Sequence, residues 1–189
     1  LKRPGFWTVH LCYSTNVHVA GLTIRNNTEA RGPSTDGIDI DSSTNVLVER
    51  CDISDNDDAL CLKSGRDADG LRVNKPTANV VIRDCTVREG AAGVTFGSET
   101  SGGIHDVEVY RLHVVRPVPN GILFKSAHTR GGTIENISIH DIDMDGVATP
   151  VSVTMNWNPS YSYATIPPGV KDYPEYWKVL ATPVPAEQG

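Results

Sequence analysis

Three aspartates sit in two short polar stretches some twenty residues apart: Asp36 in "STDGIDI" (34–40), then Asp57 and Asp58 in "DNDDALCLKSG" (55–65). Brought together, such carboxylates can divide acid–base work between them. Like charges held close raise at least one pKa. One carboxyl then keeps its proton as an acid while another stays ionised as a base. Turn chemistry is the plain alternative, because Asp before Gly is common in Asx turns and Asp36-Gly37 fits that pattern. The choice rests on whether the two stretches are neighbours in space.

Self-comparison of the chain addresses that question. One pattern recurs five times: "NVHVAGLTI" from Asn16, "NVLVERCDI" from Asn45, "NVVIRDCTV" from Asn79, "DVEVYRLHV" from Asp106 and "NISIHDIDM" from Asn136. The starts are 29, 34, 27 and 30 residues apart. β-Branched residues alternate with others in each, which is the period of a half-buried strand. A second apolar alternation follows at "GIDI", "ALCL", "GVTF", "GILF" and "PVSV", starting 14, 14, 15 and 14 residues after the Asn or Asp in the last four repeats. In the first repeat "TEARGPS" is inserted. Helical periodicity appears nowhere at useful length. The expectation is an all-β fold, a right-handed single-stranded parallel β-helix in which each repeat is one coil.

Successive coils stack about 4.8 Å apart, so equivalent positions form columns. The seventh residues of the repeats, Leu22, Cys51, Cys85, Leu112 and Ile142, make an apolar ladder. In the second strands, Ile38/Ile40, Leu60/Leu62, Val94/Phe96, Ile122/Phe124 and Val151/Val153 share the inward parity. The same register puts Asp36 over Asp58, with Asp57 one residue before it. Stability alone gives no reason to stack Asp on Asp. The outward columns read Asp39, Cys61, Thr95, Leu123 and Asp41, Lys63, Gly97, Lys125. Lys63 and Lys125 are therefore candidates to receive a substrate carboxylate. Residues 1–156 are assigned to coils. Residues 157–189, rich in Pro, Tyr and Trp, are assigned to an irregular tail that covers the apolar end of the stack or supplies an aromatic rim for sugar rings.

The bulk numbers fit one soluble domain: 189 residues, 39% hydrophobic, net charge -6. No basic field exists to hold nucleic acid or an anionic membrane, and no apolar run approaches the length of a membrane span. Cys12, Cys51, Cys61 and Cys85 lack zinc-type pairing and read as buried free thiols. The sequons at Asn26 and Asn136 read as chance matches. "LKRPGFWTVHL" opens the chain as if already inside a folded body, which suggests a mature form or a partial chain.

The ordered motifs "STDGIDI", "DDALCLKSG", "GVTFGSETSGGI" and "GILFKS…RGGTIENI" resemble the polygalacturonase family of glycoside hydrolases, family 28, over about residues 1–157. The resemblance implies a parallel β-helix that hydrolyses α-linked galacturonate in pectin with inversion and without a metal or other cofactor. It makes Asp57 the general acid and gives Asp36 and Asp58 the attacking water; inverting enzymes hold the two carboxyl groups roughly 6.5–9.5 Å apart. "GSETSGG" and "FWTVHL" are similar to exo-acting bacterial members, some of which take rhamnogalacturonan-type substrates. Two family features depart: the histidine position is Ala91 or Ala92, and the Arg-x-Lys pair becomes Leu123-Phe124-Lys125. Glu99, His105, His113 and His128 are candidate replacements, and Lys125, Lys63 and Glu99 complete the expected substrate-binding set. The expected protein is a monomer, secreted or periplasmic, with a pectic polysaccharide or oligosaccharide as its only partner. A non-catalytic carbohydrate-binding β-helix and a Ca²⁺-dependent polysaccharide lyase on the same scaffold are the competing readings.

Overall fold

The computed structural model describes residues 1–189 apart from 29–31, 33, 163–164, 183 and 185–189. Much of the "TEARGPS" insertion and part of the tail therefore lie outside the described residues. The strands are β1 (Val9–Cys12), β2 (Thr15–Ala20), β3 (Thr23–Arg25), β4 (Ile38–Asp41), β5 (Thr44–Glu49), β6 (Asp52–Ser54), β7 (Asp58–Lys63), β8 (Thr77–Glu89), β9 (Ala92–Phe96), β10 (Ile104–Val115), β11 (Asn120–Lys125), β12 (Ile134–Asp145) and β13 (Thr149–Thr154). They form two parallel sheets. One runs β1-β4-β7-β9-β11-β13; the other runs β12-β10-β8-β5-β2, with β3 and β6 continuing beside β8. The chain is an all-β parallel solenoid, as the repeats predict.

The Asn or Asp that opens each repeat has a local cause. Asn16, Asn45, Asn79, Asp106 and Asn136 all adopt φ between 53° and 58°. Short polar side chains tolerate this left-handed region better than other non-glycine residues. Five residues further on, Gly21, Arg50, Asp84, Arg111 and Asp141 adopt it again. Two left-handed residues per coil, at a fixed separation, bend every coil alike. Side chains reinforce the stack where Asn45 donates to Asn16 and Asn136 to Asp106, each at 3.2 Å.

Between the sheets lies one core. The inward parity of the second strands is buried from Ile38 to Ile122, and the ladder Cys51, Cys85, Leu112 joins it. Phe96 and Phe124 stack face to face at 4.5 Å. Cys12 is exposed, so only Cys51, Cys61 and Cys85 match the expectation of buried thiols.

Among the described residues there are also three short helices: α1 (Asp67–Val73), α2 (Pro159–Ser162) and α3 (Glu175–Leu180). They are too short to leave a helical period in the sequence. The described part of the tail does not cover the end of the stack, where Val151 and Val153 stay 57% and 65% exposed. It runs along the flank instead. The Trp157 N–H donates to the Ser126 carbonyl at 2.8 Å, and Arg66 donates to the carbonyls of Tyr161 and Ser162.

Close approach of coils constrains the motif glycine at 37. A Cβ there would fall far inside contact distance of the Ala59 carbonyl and 2.8 Å from Asp55 Oδ2. Gly37→Ala is expected to cost about 1–3 kcal/mol through overpacking. Urea unfolding checks this: the midpoint should fall at constant slope, and an unchanged midpoint would contradict it.

Candidate active site

The register of β4 and β7 pairs Ile38 with Leu60 and Ile40 with Leu62. Two residues upstream, Asp36 therefore stacks on Asp58, and the Gly37 N–H donates to the Asp58 carbonyl at 3.0 Å. Asp58 in turn pairs with Ala92 and Ala92 with Asn120 in the following coils. Asp57 lies just outside this column, half-buried, with Oδ1 accepting the Asp58 N–H at 3.0 Å. Asp36, Asp57, Asp58, Lys63, Glu99 and Lys125 line one cleft of about 250 Å³. Phe6, Trp7, Trp157 and Tyr161 add aromatic surface to its lining.

Both lysines already hold carboxylates. Lys125 Nζ donates to Asp58 Oδ2 at 2.7 Å, and Lys63 Nζ donates to Glu99 Oε2 at 3.1 Å. Lys63 also lies 3.8 Å from Asp39. Each ammonium faces an indole, Trp7 above Lys63 and Trp157 above Lys125, both at 4.7 Å. Behind Glu99 stands Arg130, fully buried, which donates to the Ser98 carbonyl at 2.9 Å, bonds Asp67 and lies 3.5 Å from Glu99 Oε1.

Burial sets the protonation of this cluster. It pushes Asp36 up to about 7 against the pull of Lys63, with Asp57 and Asp58 adding to the rise. Burial likewise pushes Asp39 and Asp55 up to about 9. As carboxylates, both would leave oxygens without hydrogen-bond partners. The two are acids at neutral pH, and protonated Asp39 has Asp36 as its acceptor. Glu99 goes the other way: burial opposes its charge, but Lys63 and Arg130 outweigh it and hold Glu99 down to about 2. Burial also works against charge on Lys63, yet the anions around it keep the ammonium well above its ordinary value.

The histidines proposed as replacements lie elsewhere. His105 pairs with Asp106, His113 faces Asp143 and His128 is exposed; none of the three lines the cleft. Fully buried Ala92 stands beside Asp58 instead of an imidazole. Glu99, in contrast, does line the cleft. Sequence reasoning missed Asp55, Asp67 and Arg130. Asp55 was visible beside the Asp57-Asp58 pair. Arg130, in a turn, and Asp67, at the start of α1, are 63 residues apart, with no periodic signal to join them.

Fold and site together define a parallel β-solenoid with a carboxylate-lined cleft on the outer face of one sheet. The chain belongs to glycosyl hydrolases family 28, whose family model matches residues 4–171. It is 37% identical over 158 residues to a probable polygalacturonase of Vitis vinifera, covering 83% of this chain and 30% of that protein. A solved structure, a hyperthermoactive exopolygalacturonase from Thermotoga maritima, superposes with TM-score 0.73 at 31% identity, over 82% of this chain and 34% of that one. The family 28 exopolygalacturonase of Yersinia enterocolitica shares the fold at TM-score 0.76 and 23% identity, over 88% of this chain and 29% of that one. The chain thus spans about a third of the length of these relatives.

The buried acid Asp39 generates a pH prediction. Its folded pKa of about 9 lies above its ordinary 3.8. The stability it contributes is full below about pH 4 and is lost as pH rises through about 9. Asp39→Asn keeps the shape without the titration. Its unfolding midpoint relative to the parent should rise from acid to alkaline pH, as thermal melts across that window would show. A constant difference would refute the assignment.

Proposed function

We propose that this chain is the catalytic solenoid of an inverting glycoside hydrolase that cleaves α-linked galacturonate in pectic polysaccharide or oligosaccharide and acts from a chain end. The observation that carries the reading is the stack of Asp36 on Asp58, with Asp57 beside it in the cleft, in a member of family 28. Asp57 is the general acid that gives its proton to the leaving glycosidic oxygen. The pair Asp36 and Asp58 takes the proton of the attacking water on the opposite face of the sugar. Asp36 keeps its own proton up to about pH 7, which leaves Asp58, the carboxylate partner of Lys125, as the acceptor below that pH. Exo action is supported by the likeness to the Thermotoga maritima exopolygalacturonase.

Lys63, Lys125 and Glu99 form the substrate-binding set in this reading. A uronate carboxylate reaches Lys125 or Lys63 by competing with Asp58 or Glu99, and Trp7 and Trp157 offer apolar faces to the sugar ring. Residues 157–189 act as the tail that carries Trp157 and Tyr161 to the cleft beside the coils of 1–156. A pectic polymer lies outside the cytoplasm, so the reading makes the protein a secreted or periplasmic one, working as a monomer.

A binding-only protein is the second reading, favoured by the internal carboxylates that already occupy both lysines. Oligogalacturonate digestion followed by proton NMR separates the two. The parent should release monomer with inverted anomeric configuration. Asp57→Asn should lose about 10²–10⁴-fold in kcat, as removal of a general acid does, with an unchanged circular dichroism spectrum. Binding without turnover by the parent would sink the hydrolase.

A further inference from the structure

The outer face of the first sheet carries a second constellation, beyond the Asp cluster. His10 and Cys12 are two residues apart on β1, so their side chains leave the same face. Parallel pairing sets Cys12 beside Asp41 of β4. His10 Nε2 comes within 3.3 Å of Asp41 Oδ2. One imidazole nitrogen, one sulfur and one carboxylate oxygen all lie within 4.8 Å of one another. His10 and Cys12 are exposed and Asp41 is half-buried, so an ion has a path from solvent.

We propose that His10 Nε2, Cys12 Sγ and Asp41 Oδ2 form a three-ligand site for a divalent transition metal of the zinc class, with solvent as the fourth ligand. The donor set decides the metal. Imidazole nitrogen, thiolate sulfur and carboxylate oxygen together are the ligand types of zinc, whereas calcium and magnesium take oxygen. Tetrahedral zinc with ordinary bond lengths holds its ligand atoms roughly 3.3–3.6 Å apart, so the observed spacing needs only small side-chain shifts. Two neighbouring strands fix all three Cα positions by their ladder, which gives the site a rigid frame. An outer partner set is in place as well. Asp41 Oδ1 accepts from the Ser42 hydroxyl at 3.0 Å and the Gly65 N–H at 3.3 Å, which leaves Oδ2 turned to the ion. On binding, Cys12 ligates as thiolate and its proton goes to solvent, so one proton is released per ion.

The site touches the cleft without belonging to it. The Trp7 indole packs edge-on against His10 at 4.9 Å and lies over Lys63 on its other side. An ion that fixes His10 therefore steadies one wall of the cleft.

Cobalt titration of the metal-stripped chain, followed by absorption, tests the proposal. One equivalent should give tetrahedral d–d bands with a thiolate-to-cobalt charge-transfer band, both displaced by zinc. Cys12→Ser should abolish the charge-transfer band, and Asp41→Asn should weaken binding by at least about tenfold. Three results overturn it: no saturable binding; octahedral bands without charge transfer, which report only a surface His–carboxylate pair; or a charge-transfer band that survives in Cys12→Ser, which would move the ion to Cys61 with Asp36 and Asp58.

Discussion

Backbone pairing between successive coils is the constraint on which the rest of this structure depends. Parallel in-register ladders translate a residue's position in one coil directly into a neighbour in the next. A slip of one residue would turn every inward Ile, Leu and Val outward. The left-handed residues at Asn16, Asn45, Asn79, Asp106 and Asn136 keep the bends in phase, although the repeats differ in length. Loops absorb the difference. The carboxylate stack is a consequence of this geometry, because Asp36 and Asp58 each lie two residues before the paired Ile38 and Leu60.

A second constraint follows from that stack. Six acids, Asp36, Asp39, Asp55, Asp58, Asp67 and Glu99, are buried in and around β4, β7 and the segments that follow β7 and β9. Buried charge is tolerated only when paired or neutralised. Asp39 and Asp55 are neutralised by keeping their protons. Asp58, Glu99 and Asp67 are paired, with Lys125, with Lys63 and with Arg130. Cations that the sequence offers as receivers for an incoming carboxylate thus serve first to hold the protein's own acids. In the proposed hydrolase, the charge of a uronate would enter a site that is already balanced, which favours recognition by exchange of partners over recognition by a free positive pocket.

Much of the fold could be read from the residues. Alternation in "NVLVERC" and its four relatives, together with constant offsets to "ALCL" or "GVTF", defined strands and register together. The ladder through Cys51 and Cys85 identified two thiols as core atoms, and the stack of Asp36 on Asp58 emerged from the same alignment. Illegible features lie where the period is broken. Helix α1 sits in a loop between coils, the described part of the tail runs along the flank instead of over Val151 and Val153, and His105, His113 and His128 lie away from the cleft. Arg130 reaches Asp67 and Glu99 from a loop whose path no repeat encodes.

The sequence by itself determined the columns, meaning which residues face the core and which carboxylates share an edge. It could do so because strand period and left-handed bends are local properties, repeated often enough to fix register. Only the tertiary structure decided the charge partners: Lys125 with Asp58, Lys63 with Glu99, Arg130 with Asp67, and Trp7 and Trp157 over the two ammonium groups. Lys125 and Asp58 meet across strands two coils apart, and Glu99, Arg130, Trp7 and Trp157 arrive from segments outside the strands; their positions depend on how the whole stack buries them, and burial is a property of no single segment.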